Sequence, residues 1–236
     1  MNAAIKRKAL LAGSAVSLSA SLFAPSALAD AVADAKAAVA KYAGPQTTWE
    51  GPTKAPKPEP GKKIVFLSGD EQNDISHLYG AYIKEAGEKL GWSVTVIDGK
   101  GSPTSWLAGM NQAIALKPDG IALFADAASL QDPIKAGVAQ GIKFVGLHAA
   151  GLPGPQPDLN VFVNIQEDPR EIGKAEAAWA IADSNGKARV VVLSHNEYAI
   201  AQVKSTATKT EIEKCAGCKV LEYVNSPASE AARRRS

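Results

Sequence analysis

The sequence is poor in cysteine and in aromatic residues, and it carries almost no net charge. Of its 236 residues two are cysteine and 6% are aromatic, and the formal net charge is +2. Two cysteines exclude a disulfide-dense scaffold. Near-neutrality argues against a dedicated nucleic-acid-binding protein, which normally carries a marked basic patch. The length leaves room for one large domain or two small ones, each with a buried core.

Short motifs that mark common active sites are also missing. The sequence has no G-x-S-x-G nucleophile turn, no G-x-G-x-x-G fingerprint and no phosphate-binding loop. Its three histidines, His77, His148 and His195, form no i,i+4 pair and no H-E-x-x-H motif. We therefore predict that the protein is not an enzyme and has no catalytic residue, no metal and no cofactor.

One long apolar run occurs, at the N-terminus. Lys6, Arg7 and Lys8 precede residues 9–23, which carry no charge, and Ala27 and Ala29 place small residues at the −3 and −1 positions. This pattern predicts a secretory signal peptide cleaved after Ala29. The alternative is a membrane anchor, which needs about 20 apolar residues, and the uncharged run of 15 residues is shorter than that. Cleavage would remove three positive charges and leave an exported chain with a net charge of −1.

Export affects the expected chemical state of Cys215 and Cys218, which are separated by two residues. In an oxidising compartment such a pair predicts a structural disulfide. The alternative, a thioredoxin-type redox pair, needs its first cysteine at a helix N-terminus. Here the pair follows a helical pattern over residues 206–214, so the structural disulfide is favoured.

The rest of the chain alternates between strand and helix patterns. Residues 30–42 have helical spacing, and residues 44–61 contain five prolines, which is typical of an extended lead-in. Strands are predicted over residues 63–68, 93–97, 120–124 and 143–147. Helices are predicted over residues 75–90 and 130–140, and a further helix, capped by Thr104 or Ser105, is predicted to run to Leu116. Strands without polar alternation, separated by single helices, indicate a parallel sheet with helices on both faces.

A second series begins after residue 150. We predict strands over residues 160–165, 188–193 and 219–224 and helices over residues 167–183 and 201–214. Two or three strands are few for a sheet. The expected organisation is thus a signal peptide over residues 1–29, a lead-in over 30–61, a complete α/β unit over 62–150 and a partial one over 151–236.

Polar residues follow nearly every predicted strand. In open parallel sheets ligands bind beyond the carboxyl ends of the strands, so these positions predict a site for a polyhydroxylated ligand. The alternative is that Asp, Asn and Ser at strand ends are ordinary turn residues. The candidate ligand-binding residues are Ser68, Asp70, Asn73, Asp126, His148, Asn164, Gln166, Asn196 and Tyr198.

Aromatic side chains can stack on the face of a sugar ring. Trp49, Trp106 and Tyr198 are candidates for this role, whereas Trp92 and Trp179 are predicted to pack in the core.

Several segments carry a family resemblance. These are Ile64-Val65-Phe66-Leu67-Ser68-Gly69-Asp70, a stretch over residues 107–121 that ends in Lys-Pro-Asp-Gly-Ile, and the Cys-Ala-Gly-Cys-Lys-Val-Leu stretch over residues 215–221. The chain resembles the periplasmic substrate-binding proteins of bacterial ABC transporters, in the sugar-type group with the ribose-binding-protein fold. The resemblance implies a periplasmic binding protein-like fold of type I, in which two lobes close on a sugar or similar small polar solute. It also implies a monomeric periplasmic protein whose partner is an ABC permease in the inner membrane.

The sequence departs from the family pattern at three places. Lys204 stands where members often have a solute-binding arginine, and lysine lacks the planar fork of arginine. Gln166 and Glu167 replace a frequent Asp-Asn pair, and the family pattern ends near Glu230. The resemblance thus implies a C-terminally truncated chain that binds its solute weakly or not at all. A periplasmic ligand sensor subunit and a flavodoxin-like α/β enzyme remain as alternatives.

Overall fold

The computed structural model describes residues 24–45 and 47–227, whose strands form two sheets. The six-stranded sheet has the order β2-β1-β3-β4-β6-β5, and the two-stranded sheet pairs β7 with β8 in parallel. In the large sheet every pair is parallel except β5 with β6. The strands are β1 (Lys63–Leu67), β2 (Ser93–Ile97), β3 (Gly120–Leu123), β4 (Lys143–Leu147), β5 (Gly154–Gln156), β6 (Val161–Ile165), β7 (Arg189–Ser194) and β8 (Lys219–Asn225).

Within the described residues, six α-helices accompany the two sheets. They are α1 (Ala24–Ala43), α2 (Asp74–Lys89), α3 (Pro103–Ala115), α4 (Gln131–Ala139), α5 (Pro169–Asp183) and α6 (Ala199–Lys214). Below, the first unit means β1 to β6 with α2 to α4, and the second unit means β7 and β8 with α1, α5 and α6. No helix in the described part of the chain has both the length and the apolar character needed to cross a membrane.

The predicted α/β class is confirmed, and one strand changes sheets. The strand predicted over residues 160–165 was assigned to the second unit, but β6 pairs with β4 through Val163 and Val145 and so completes the large sheet. Sequence patterns identify a strand without identifying its partner, because pairing depends on distant residues. The region predicted as a loop over residues 151–157 also contains the short strand β5.

Some predictions fall at the edges of the described chain. Residues 1–23, which hold most of the predicted signal peptide, and residues 228–236, which hold the arginine-rich tail, lie outside the described residues. The predicted cleavage point after Ala29 lies within α1.

The core of the first unit lies between the large sheet and its helices. On α3 the side chains of Trp106, Met110 and Ala113 are completely buried, at the spacing that places them on one face of a helix. They pack with the buried ends of the strands, including Leu67 and Leu123. Burial of each large apolar side chain contributes about 1.5–3 kcal/mol to the free energy of unfolding. This layer therefore holds the ends of β1 and β3 against α3.

Three helices begin at side-chain caps supplied by their own preceding residue. Asn73 accepts hydrogen bonds from the first-turn amides of α2, Ser102 from α3 and Asp168 from α5. The cap of α3 was predicted at Thr104 or Ser105, but the helix begins at Pro103, which is suited to a first helical position.

The second unit has its own core, to which α1 contributes although it precedes the first unit in sequence. Val32 and Ala35 of α1 are buried against Ala177 and Ile181 of α5. The residues between α1 and β1 therefore lead from the second unit to the first. Near β1 this lead-in is fixed by Trp92, whose indole N–H donates to the carbonyl oxygen of Glu59 at 2.6 Å.

The disulfide between Cys215 and Cys218 is present, as predicted, at the end of α6. Cys215 is 3% exposed and belongs to the core of the second unit. The bond thus holds the connection between α6 and β8 against that core.

Trp179 contradicts its predicted place in the core, because its side chain is 62% exposed. On α5 the inward face is formed by Gly173, Ala177 and Ile181, which follow one another at intervals of four. Residue 179 is two positions beyond residue 177, about 200° around the helix, and lies on the opposite face. Trp92 is also not in the core: its side chain is half-buried and contacts the lead-in at Glu59.

Candidate functional site

A cavity of about 650 Å³ lies between the two units. Its walls come from the turn between β1 and α2, from the ends of β3 and β4, and from the segment between β7 and α6. The described residues form further cavities beside β2 and beside β7, of about 400 and 350 Å³, but each of these is lined by one unit alone. At the cavity between the units, in contrast, both units could contact a ligand.

The first wall is built by the turn after β1. Asn73 accepts from the amides of Ile75 and Ser76 through its side-chain oxygen, and Asp70 accepts from the amide of Gln72 at 2.9 Å. Ser68 is fully buried behind this wall, and its hydroxyl lies 2.7 Å from the hydroxyl of Ser76. Asp70 and Asn73 therefore line the cavity from a turn that the protein itself holds in place.

The second wall is aromatic. The rings of Phe124 and His148 lie 5.5 Å apart, and Tyr79 packs against both, at 5.5 and 5.8 Å between ring centroids. The Nε2 atom of His148 lies 3.0 Å from Glu167, which follows β6. This wall offers an apolar surface on which a sugar face can stack.

The contact between His148 and Glu167 affects the titration of the carboxyl group. Burial alone would raise the pKa of Glu167, but hydrogen bonds from its own amide and from His148 outweigh burial and lower that pKa. Glu167 therefore holds its negative charge beside His148, in the segment that connects β6 to α5.

The third wall comes from the second unit. The Nδ1 atom of His195 lies 2.7 Å from the carbonyl oxygen of Ser226. Since a carbonyl oxygen only accepts, Nδ1 carries a proton, and Nε2 is then the acceptor whenever the ring is neutral. His195 can thus receive a hydrogen bond from a ligand hydroxyl.

Tyr198 stands beside His195 on the same wall. Its ring packs on Trp106 of the first unit, with 5.0 Å between centroids. Burial, followed by the negative charges of Glu197, Asp70 and Asp126, raises the pKa of Tyr198. The phenol therefore stays protonated and can donate a hydrogen bond to a ligand.

Asp126 lies behind this wall and is 6% exposed. Its Oδ1 accepts from the amides of Ala128 and Ser129 in its own unit, and its Oδ2 accepts from the amide of Ala199 in the second unit at 3.0 Å. Burial raises the pKa of Asp126, against the effect of these three hydrogen bonds. The carboxylate is fully engaged by backbone amides.

The structure brings four of the nine predicted residues to the cavity wall: Asp70, Asn73, His148 and Tyr198. The other five lie elsewhere. Asn164 is 1% exposed and joins the amide of Ala149 to the carbonyl of Leu152 where the chain passes between β4 and β6. Its amide also donates to Gln166 at 2.7 Å. Asn196 is exposed, and its carbonyl accepts from Gln202.

Sequence reasoning missed part of the wall. Phe124, His195 and Ile200 line the cavity but are not among the nine predicted residues. The prediction took polar residues after strands, which leaves out the apolar Phe124 and Ile200. His195 does follow β7, so the same rule could have included it. The apolar residues carried no signal that separates a ligand wall from a core.

The two remaining aromatic candidates lie away from the cavity wall. Trp49 is 72% exposed in the lead-in, and Trp106 is fully buried with its indole N–H donating to the carbonyl of Gly69 at 2.8 Å. Among the residues that the structure describes, no group of three or more His, Cys, Asp and Glu is arranged to hold a metal ion.

Comparison with known proteins gives a consistent assignment. A family model described as "Periplasmic binding protein domain" matches residues 64–234. No curated protein matches the chain.

Solved structures of similar fold are numerous. A sugar ABC transporter from Yersinia enterocolitica subsp. enterocolitica 8081 is 24% identical with a TM-score of 0.61, over 75% of this chain and 54% of that one. An ABC transporter solute-binding protein from Clostridium phytofermentas with bound L-rhamnose is 17% identical with a TM-score of 0.64, over 73% and 54%. One from Burkholderia graminis C4D1M in complex with D-arabinose is 16% identical with a TM-score of 0.62, over 76% and 60%. At these identities the likeness shows the fold, and the chain spans little more than half the length of these structures.

Proposed function

The chain belongs to the periplasmic binding protein family, and from that premise we propose that it is the extracytoplasmic solute-binding component of an ABC importer. The family consists of solute-binding proteins rather than enzymes. The solute is a sugar or a similarly polar small molecule, held between the two units and presented to a permease in the inner membrane. The protein is a periplasmic monomer whose signal peptide is removed after Ala29.

The cavity between the units is the observation that carries this proposal. Its volume of about 650 Å³ lies within the range of roughly 300–1,000 Å³ that is usual for small-molecule sites. Its lining combines an aromatic wall with a few polar groups that come from both units. Two of the similar structures hold bound L-rhamnose and D-arabinose, which supports a sugar-like solute here.

Recognition follows from the chemistry of the walls. Asp70 and His195 offer acceptors to solute hydroxyls, whereas Asn73 offers its side-chain NH₂ and Tyr198 its phenol as donors. His148 and Phe124 cover an apolar face of the solute. Binding needs no chemical step, because hydrogen bonds hold the solute and the two units exclude water.

Charge sets a limit on the class of solute. Asp70 and Asp74 line the cavity, and none of the residues that line it is lysine or arginine. An anionic solute would bring a negative charge to these carboxylates without a lysine or arginine to pair with it. We therefore expect neutral sugars and polyols to bind and the matching sugar acids and sugar phosphates to be rejected.

The passage between the units completes the proposal. The chain leaves the large sheet after β6 and enters α5 at Pro169, so we place the boundary between the units at residues 166–168. Asn164 fixes the crossing on the side of the first unit through its bonds to residues 149 and 152. Closure around the solute is a hinge motion about this crossing.

Calorimetric titration of the purified chain with pentoses, hexoses, polyols and their acid counterparts tests the proposal. The resemblance alone implies weak or absent binding, but the cavity lined by both units leads us to expect that at least one neutral member binds. Tyr198→Phe should weaken its affinity about tenfold through loss of a buried hydrogen bond. Tyr82→Phe is the matched control, because Tyr82 is 63% exposed on α2 away from the cavity. Absence of binding across the panel, or an equal loss in the control, would overturn the proposal.

A further inference from the structure

We infer that Asp126 is a positioning residue for solute binding, which caps α6 from the opposite unit and thereby holds Tyr198 in the cavity wall. The inference rests on the proposed function, and it assigns Asp126 a role other than the solute contact expected from its position after β3.

The first step is that α6 has no cap of its own. Tyr198 occupies the position before the helix and its side chain makes no capping bond, whereas Asn73, Ser102 and Asp168 cap their helices locally. The first amides of a helix need partners and carry partial positive charge. The amide of Ala199 obtains its partner from Asp126, 73 residues away in sequence.

The second step is that one carboxylate serves two helical ends in two units. Oδ1 of Asp126 accepts from Ala128 and Ser129, which begin a short 3₁₀ turn in the first unit. Oδ2 faces the second unit and accepts from Ala199. Separation of the units breaks the bond to Ala199 and leaves the bonds to Ala128 and Ser129 intact, so the carboxylate favours the arrangement in which the units are joined.

The third step is that the bond lies in a dry contact. Asp126 is 6% exposed, and Trp106, on which the ring of Tyr198 packs, is fully buried. A Cβ atom at Gly69 would lie 3.1 Å from the hydroxyl of Tyr198, so glycine leaves the space that this ring uses. A charge-assisted hydrogen bond is stronger where water is excluded.

The consequence concerns the cavity rather than the stability of either unit. Tyr198 and Ala201 line the cavity and flank the capped amide, whereas Asp126 itself is not part of the lining. Loss of the bond to Ala199 would free the start of α6 and move this wall away from the first unit.

Distance measurement between spin labels at Tyr82→Cys and Trp179→Cys tests the inference without any solute. Both positions are exposed, on α2 and α5 respectively. In this background Asp126→Asn keeps one oxygen for the turn in the first unit and places an amide N–H₂ against the amide of Ala199. We expect the distance distribution of Asp126→Asn to be longer and broader than that of the wild-type background. Asp126→Glu should restore part of the short-distance population.

Ser129→Ala is the matched control, because it removes the 2.7 Å hydrogen bond from the Ser129 hydroxyl to the carbonyl of Asp126 and leaves the bond between units intact. It should keep the compact distribution. An unchanged distribution in Asp126→Asn, or an equal opening in Ser129→Ala, would overturn the inference.

Titration of the same variants separates this result from the proposed function. If a neutral sugar binds the wild-type chain, Asp126→Asn should weaken its affinity about tenfold, the effect of one lost charge-assisted bond. Unchanged affinity would overturn the positioning role while leaving the proposed function in place. Failure of every sugar to bind the wild-type chain would overturn the proposed function and, with it, the positioning role.

Discussion

Gly173 marks the closest approach between α5 and α6, and it allows a sharp test of how the second unit is built. A Cβ atom at this position would lie 2.5 Å from the carbonyl oxygen of Lys204 and 2.9 Å from the amide nitrogen of Thr208. Both atoms belong to the backbone of α6, so neither can move without the helix. Gly173→Ala therefore requires the two helices to separate.

Two opposing terms decide the size of the effect. Alanine is favoured over glycine inside a helix by about 1 kcal/mol. Overpacking against a rigid neighbour costs about 1–3 kcal/mol, and here the neighbour is backbone, which places the cost at the upper end of that range. We expect Gly173→Ala to lower the free energy of unfolding by about 2 kcal/mol.

Gly109→Ala is the matched control on α3. Its Cβ would lie 2.8 Å from a terminal methyl group of Leu67 and 3.2 Å from a methyl group of Ile97, which are side-chain atoms rather than backbone. Urea unfolding followed by circular dichroism should show a change within about 1 kcal/mol for this variant. A Gly173→Ala chain as stable as the wild type, or less affected than Gly109→Ala, would refute the account of helix packing.

Three further expectations follow from the structure. Val32→Asp places a charge in the core shared by α1 and α5, so it should lower the free energy of unfolding by about 3 kcal/mol in urea, and no change would mean that α1 is not docked. Cys218→Ser opens a very short loop and should cost roughly 2 kcal/mol, and the wild-type chain in reductant should match it. The pKa of Glu167 is lowered from 4.5, so its stabilising effect is present above that pH and is lost as pH falls through the lowered pKa. Acid unfolding of Glu167→Gln should lack this loss, and identical acid transitions would contradict the pairing with His148.

Local patterns in the sequence were sufficient to locate most elements of the fold. The strands β2 and β4 begin and end at the predicted residues, because short runs rich in β-branched or apolar residues stand between turn segments. The partner of β6 could not be obtained in this way. Its pairing with β4 is a contact between segments that are separated by the loop and by β5.

The candidate site was only partly predictable, for a physical reason. The rule that ligands bind at strand ends selects Asp70 and His148, and both line the cavity between the units. The same rule cannot tell whether a polar side chain faces a ligand or a backbone amide. Asp126 and Asn164 also lie close to strand ends, yet Asp126 bonds backbone amides, and Asn164 bonds the backbone and the side chain of Gln166.

The exposed position of Trp179 shows a related limit. Aromatic residues on a helix that packs against a core are usually buried, and α5 does pack against one. Its inward face is filled by small residues, because α1 and α6 approach α5 closely. Helix contacts of this kind depend on the tertiary structure and are not visible in the spacing of one segment.

The central claim is that a small polar solute binds between the two units and contacts both. Hydrogen–deuterium exchange measured by mass spectrometry, with and without a neutral sugar that binds in the calorimetric panel, tests it most directly. The account predicts that binding slows exchange together in residues 70–76 of the first unit and residues 195–201 of the second. Slowed exchange confined to one unit, or centred on the cavity beside β2, would contradict it.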